Sequence, residues 1–448
     1  MEAAAACKRL GHKDAADTRK QENYGMENAK KERFVKEIRE RNDELFRKLG
    51  DLIRINSENF GATGNEKEIA YFLGEAFGAL GCKTEVYSPL EIEGITEHPD
   101  YYPGRGLENR FNMTAILPGS DHSKRLMMAA HLDTETIGEL STWTVDPLGG
   151  EVHDGRVWGR GACDDKYGIA AVWHLMQLLR DEGIVLPFDF IFTAYCDEEK
   201  GGGNGSLAAC LKYPVDDVLN LDCKDRQIVA SGAGGGCMKA TIATKEPVDN
   251  CEVLLDGIAV YREVIDKFRQ RRHDELMQYP RFANSIIPDT AVRFQSIRVG
   301  AGLSLNRTQV GICFYTSRTE EEIYRELDEM AKELTEKLEP LGMVFEGFEI
   351  TTRFFRFAEA AYDNPTMELL KRSVKKVTGE DQDGIAMCLS DHPIYVNWAS
   401  PRALSFGGGR EFGEYGGAHQ PDEFIECENF TVFAEILGEF LMNYGDLY

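Results

Sequence analysis

Apolar residues first take on a helical spacing some thirty positions into the chain. Phe34, Val35, Ile38, Leu45, Leu49 and Leu52 recur mostly every three or four residues among Lys, Arg and Glu, which predicts an amphipathic helix beginning near Glu27. Residues 1–26 are polar and Ala-rich without that period and are expected to be a frayed tail. A second helix is predicted over Glu66–Leu80. Between Tyr101 and Val152 the pattern shortens, and Met113–Leu117 and Arg125–Ala130 are compact apolar runs bounded by turn residues, hence strands. Tyr167–Arg180 reads as helix, Phe188–Tyr195 as a buried strand, Ser206–Leu211 as the start of a helix and Val218–Asp222 as a strand. Strands alternating with helices predict an α/β fold, a mainly parallel sheet with helices on both faces.

The texture changes at the run Ser231–Gly236, read as a flexible crossing between domains. A strand (Met238–Ala243), a long charged helix (Val253–Arg272), two strands (Ala291–Arg298 and Gln309–Thr316) and a helix (Glu320–Leu341) then form an α+β unit. After about Thr351 the α/β texture returns, with a helix at Thr366–Val377 and a strand at Pro401–Phe406. The expected organisation is a larger domain, residues 27–232 and 351–448, interrupted by a smaller inserted one, residues 233–350.

Composition agrees with two domains and narrows the partners. A chain of 448 residues exceeds the roughly 250–300 that one core serves. With 42% apolar and 28% charged residues it is neither disordered, collagen-like nor a membrane bundle. A net charge of −25 without a basic patch repels phosphate backbones and anionic bilayers, so neither nucleic acid nor membrane is expected as a partner. There is no apolar run of membrane-spanning length, and Met1–Lys20 lacks the apolar core of a secretory signal. Eleven scattered cysteines without a C-x-x-C pair read as free thiols in a reducing compartment, so the cytoplasm is the expected location.

Five segments carry candidate chemistry, each ending a predicted strand or lying in a loop near one, where α/β sheets place their ligands. In Met128–Asp133, His131 and Asp133 are two residues apart and point to one side of an extended chain, so the carboxylate can hold one imidazole nitrogen while the other meets a metal. A satisfied histidine at a strand end is the plain alternative. The run Gly159–Lys166 sets Asp164 and Asp165 side by side before a helix, as solvated turns also do. Asp197, Glu198 and Glu199 follow a buried strand and precede three glycines, where like charges raise a pKa unless a cation compensates. Asp222 is the lone charge of its strand, and His419 sits in a Gly-rich turn. Taken singly, each has an ordinary structural explanation. Together, His131, Asp164, Glu199, Asp222 and His419 form a nitrogen–oxygen donor set that suits two divalent ions, zinc first, with cobalt or manganese as alternatives.

The order H-x-D, G-R-G-A-x-D-x-K, D-E-E before glycines, a lone Asp and a late A-H resembles the co-catalytic dinuclear zinc hydrolases. That family includes aminoacylase, acetylornithine deacetylase, succinyl-diaminopimelate desuccinylase, glutamate carboxypeptidase and several dipeptidases. The resemblance runs from about Glu27 to Tyr448. It implies His131 and Asp222 on one ion, Glu199 and His419 on the other, and Asp164 bridging. It further implies Asp133 supporting His131 and Glu198, rather than Glu199, as the general base; neighbouring acids cannot be ranked by sequence alone. The reaction expected is hydrolysis of an amide in a small carboxylate-bearing substrate. An N-acyl amino acid leads, with a dipeptidase or carboxypeptidase next and a metal-binding protein of little turnover as the rival of another class.

The insert resembles the family's lid, which often pairs two subunits, so a homodimer through it is implied. Asn306 and Arg318 fit lid positions that hold a substrate carboxylate, although a structural ion pair explains Arg318 nearly as well. Ser390-Asp391 and Gly407–Gly409 fall where the family lines its pocket. One departure stands out: family lids commonly present a histidine to the scissile carbonyl, whereas Ala243–Cys251 offers Lys245, and His273 is the insert's only histidine. Cys163, Cys196 and Cys223 are expected as small packing residues, and His153, His174 and His392 as surface or core residues.

Overall fold

The computed structural model describes residues 29–299 and 305–447; the expected tail at 1–26 lies outside them. Among the described residues nine strands form one mixed sheet. Its order is Lys83–Tyr87, Asn112–Leu117, Asp189–Tyr195, Arg125–His131, Asp217–Asn220, Leu404–Phe406, Ile228–Gly232 and Ala358–Glu359, with Ile385–Met387 also paired to Ile228–Gly232. The four central strands, Asp189–Tyr195 to Leu404–Phe406, are parallel. The strands outside them along this order pair antiparallel. The parallel sheet expected from the sequence is therefore the core of a sheet with antiparallel flanks.

Alternation along Arg125–His131 shows why that strand reads as a continuous apolar run. Leu126, Met128 and Ala130 enter a large core with the helices Asn42–Ile53, Lys67–Ala79, Lys166–Asp181 and Cys427–Tyr444, while Met127 and Ala129 enter a second core with Asn204–Lys212 and His392–Trp398. A strand buried on both faces has no polar side to show. The first predicted helix is two, 29–40 and Asn42–Ile53, separated at Arg41, whose φ of −114° and ψ of 23° leave the helical region.

The run Ser231–Gly236 is not a flexible crossing. All six residues are buried, ending the strand Ile228–Gly232 and beginning the strand Gly234–Thr244. The glycines are there because other backbone comes close: a β-carbon on Gly235, whose φ is 121°, would lie 2.1 Å from the Phe314 carbonyl oxygen. Composition suggested flexibility, and close packing is what requires these glycines.

Gly234–Thr244 is also the first strand of a separate four-stranded antiparallel sheet, ordered Val292–Val299, Arg307–Thr316, Gly234–Thr244 and Met343–Ile350. The helices Leu254–Leu276 and Glu320–Leu338 pack on it through a core of their own, which includes Tyr261, Ile265, Phe268, Leu327 and Leu334. This is the inserted α+β layer. Among the described residues no helix is long and apolar enough to cross a membrane.

Candidate metal centre

Three adjacent parallel strands deliver the site. His131 ends the central strand and is paired with Tyr195; Asp197, Glu198 and Glu199 follow Tyr195 on one side. On the other side Ala129 pairs with Asn220, and Asp222 follows two residues later, just past the strand. A glycine-rich turn brings Asp164 and Asp165 to the start of the helix Lys166–Asp181. Glu423 ties that turn to the late segment, accepting from Arg160 Nη1 at 2.6 Å and from the Cys163 N–H at 2.9 Å. His419 approaches from the same segment, with a φ of 63°.

Asp164 lies between the two histidines. Its Oδ1 is 2.9 Å from His131 Nε2 and its Oδ2 is 3.2 Å from His419 Nε2. His419 Nε2 is also 2.9 Å from Glu199 Oε2. Burial opposes charge on both imidazoles, yet Asp164 holds the His131 pKa well above its usual value, and Glu199 with Asp164 lifts that of His419 to about 11. Among the acids, burial pushes Asp222 up to about 7, and burial followed by the Asp222 charge pushes Glu198 well up. Carboxylates that costly need a cation.

The donors are arranged to take one. His131, Glu198 and Asp222 each present an atom within 4.8 Å of the others, and so do Glu135, Glu199 and His419. Nitrogen and carboxylate oxygen in two adjacent sets, without thiolate, fit a pair of divalent ions. The five residues expected as ligands are therefore brought together, and Glu198 lies on the His131–Asp222 side.

The role expected of the Asp133 carboxylate differs. His131 Nδ1 is 2.7 Å from the main-chain oxygen of Asp133 and 3.9 Å from its Oδ1. The carboxylate instead accepts from the main-chain N–H groups of Glu198 (3.0 Å) and Glu199 (2.9 Å) and from Asn59 Nδ2 (2.7 Å). The Asp133 carboxylate thus anchors the acidic loop, while its backbone orients the histidine. Arg105 and Arg110 continue the scaffold: Arg105 donates to Asp197 Oδ1 at 2.7 Å and to the Glu199 carbonyl at 2.7 Å, and Arg110 reaches Asp197 Oδ1 at 2.8 Å and pairs with Glu66. Arg353 forms a buried ion pair with Asp391, which also accepts from Ser206 Oγ at 2.6 Å. Asp197 and Asp391 are among the positions noted in the sequence, but their arginine partners are not, because each arginine reads as an ordinary surface charge until its partner is known.

Asn306 and Arg318 belong to the inserted layer. They flank opposite ends of Arg307–Thr316, a ten-residue strand spanning about 33 Å, so one chain does not bring them together. Arg318 pairs with Glu275 at 3.3 Å and with Glu322 at 3.2 Å, the structural ion pair that was its alternative. Lys245 Nζ meets Glu339 at 3.3 Å, and His273 Nδ1 meets Asp274 at 3.1 Å. Cys163, Cys196 and Cys223 are thiols whose pKa burial raises, consistent with packing residues. His153 stacks on Trp158, whereas His174 and His392 are buried.

Residues 127–443 match the family described as Peptidase family M20/M25/M40. The chain belongs to that family. It is 30% identical over 172 residues to an N-formyl-4-amino-5-aminomethyl-2-methylpyrimidine deformylase of Halalkalibacterium halodurans, a match covering 38% of this chain and 35% of the relative. It is 42% identical over 91 residues to a succinyl-diaminopimelate desuccinylase of Rhodospirillum centenum, covering 20% of this chain and 23% of that one. The chain thus spans about a third and about a quarter of the length of these two relatives. A solved di-peptidase of Saccharomyces cerevisiae shares the fold, with a TM-score of 0.68 at 16% identity over 92% of this chain and 98% of the other.

Proposed function

We propose that this chain is a two-ion amide hydrolase for small carboxylate-bearing substrates, foremost N-acyl amino acids. The observation that carries this reading is the Asp164 carboxylate, set between His131 and His419 with a donor set on either side. His131 and Asp222 would hold one ion, Glu199 and His419 the other, and Asp164 both. Zinc suits the donors best, and cobalt or manganese fit them too. When bound, such ions lower the pKa of water toward about 7 and polarise a carbonyl. Glu198 is the proton carrier: it takes a proton from the attacking water and returns it to the departing amine. Asp133 fixes where Glu198 sits by accepting its main-chain N–H.

The deacylase reading is favoured by the relatives' names, which both describe removal of an acyl group from an amine. A dipeptide presents the same bond to the same centre and is the second substrate class. We place the protein in the cytoplasm on the strength of its free thiols, and assign pairing of two copies to the inserted layer. The test is Glu198→Gln in the metal-loaded protein. Turnover should fall by about 10²–10⁴-fold with both ions retained. Unchanged turnover would remove Glu198 from this role, and turnover lost together with the ions would make it a ligand.

A further inference from the structure

We infer that Cys237 and Cys313 form a redox-active dithiol, which a disulfide of low molecular weight converts into one bond across the two central strands of the inserted sheet. The two residues are direct partners in the antiparallel pairing of Gly234–Thr244 with Arg307–Thr316, so their side chains leave the sheet side by side on one face. Main-chain hydrogen bonds fix which kind of pair they make. The Cys237 N–H donates to Thr352 Oγ1 at 3.0 Å, and its carbonyl accepts from the Thr351 N–H at 2.8 Å. Both groups are thus turned toward residues 351–352 and away from Cys313. A pair without mutual main-chain bonds has α-carbons about 4.5 Å apart. A disulfide spans about 4.4–6.8 Å between α-carbons, so the backbone already stands at a bridgeable separation.

The surroundings favour reaction. The helices of the insert cover the sheet face that carries Met238, Ile312 and Phe314. Cys237 and Cys313 are on the opposite face, in a cluster with Tyr315, Phe357, Cys388 and Leu389. Cys237 is partly exposed and Cys313 buried. On its other side Cys313 is paired with Arg293, which brings a cation into the same row. Hydrogen bonding between the thiols lowers the Cys237 pKa and raises that of Cys313, which divides their roles. Cys237, as thiolate, attacks one sulfur of the small disulfide and expels its other half. The Cys313 thiol gives up its proton and attacks the Cys237 sulfur, breaking the mixed bond and expelling the second half. Two electrons pass to the small disulfide, and the two thiol protons end on the two small thiols released. In a reducing compartment such a bond is transient, as a redox sensor requires. Residues 351 and 352, held by Cys237, lead to Arg353 and its partner Asp391, so the pair sits where the insert returns to the larger domain. No metal or substrate takes part, and the inference stands apart from the hydrolase reading.

The test is oxidation of the reduced full-length chain with glutathione disulfide, followed by peptide mass mapping of free and bridged cysteines, for the parent, Cys313→Ser, Cys237→Ser and Cys388→Ser. In the parent a Cys237–Cys313 bridge should form with loss of two hydrogens and be reversed by excess reduced glutathione. Cys313→Ser should stop at a glutathione adduct on Cys237. In Cys237→Ser the adduct on Cys313 should form at least about tenfold more slowly than that one. Cys388→Ser should bridge as the parent does. A parent that stays reduced at both positions, a bridge that includes Cys388, or a Cys237 adduct that Cys313 never resolves would overturn the inference.

Discussion

His131 Nδ1 meets the main-chain oxygen of Asp133 at 2.7 Å and stands 3.9 Å from its carboxylate. The side chain is thereby free to hold the Glu198–Glu199 loop. Asp133→Asn keeps the main-chain oxygen but removes the charge and part of the acceptor capacity that two N–H groups and Asn59 use. We expect kcat to fall about 10–100-fold while the ion at His131 is retained within about tenfold. Measuring kcat beside metal affinity decides the matter: if Asp133→Asn releases that ion as His131→Ala does, the carboxylate acts on the histidine after all.

Arg110 is fully buried beside three carboxylates, pairing with Glu66, donating to Asp197 at 2.8 Å and lying 3.8 Å from Asp133. Removing one partner of a buried charge network leaves the rest uncompensated. Arg110→Met should cost about 3–5 kcal/mol in denaturant unfolding, and Glu66→Gln added to it should recover part of that loss. A cost below about 1 kcal/mol would show that the network contributes little to stability.

His174 is buried in the helix Lys166–Asp181, and burial, with Lys48 nearby, lowers its pKa from 6.5 to about 4. Between those values the unfolded chain binds a proton that the folded chain refuses. The stability it contributes is therefore complete above pH 6.5 and lost as pH falls toward 4. At about 1.4 kcal/mol per pKa unit, His174→Leu should shrink the loss of stability across that window by up to about 3 kcal/mol. Parallel pH–stability curves for parent and variant would contradict this.

Much of the α/β core was legible because its strands are buried on both faces: Arg125–Ala130 and Phe188–Tyr195 announce themselves as apolar runs and end within one residue of prediction. The candidate metal centre was partly legible for a related reason. Acids and histidines at the ends of such runs are conspicuous against apolar neighbours, so His131, the run Asp197–Glu199 and Asp222 stood out as candidates without knowing the fold, although the neighbouring acids could not be ranked. The pairing of Arg105 and Arg110 with Asp197 was not legible, since it depends on a loop crossing that has no local pattern. Ser231–Gly236 misled because glycine serves flexibility and close approach alike, and only the neighbouring Phe314 backbone decides between them.

The most direct measurement is amine release from N-acyl amino acids and dipeptides while the metal-free protein is titrated with zinc, cobalt or manganese. The account predicts turnover that rises with added ion, saturates at two ions per chain and is faster on N-acyl amino acids. No turnover on either class with two ions bound would contradict it.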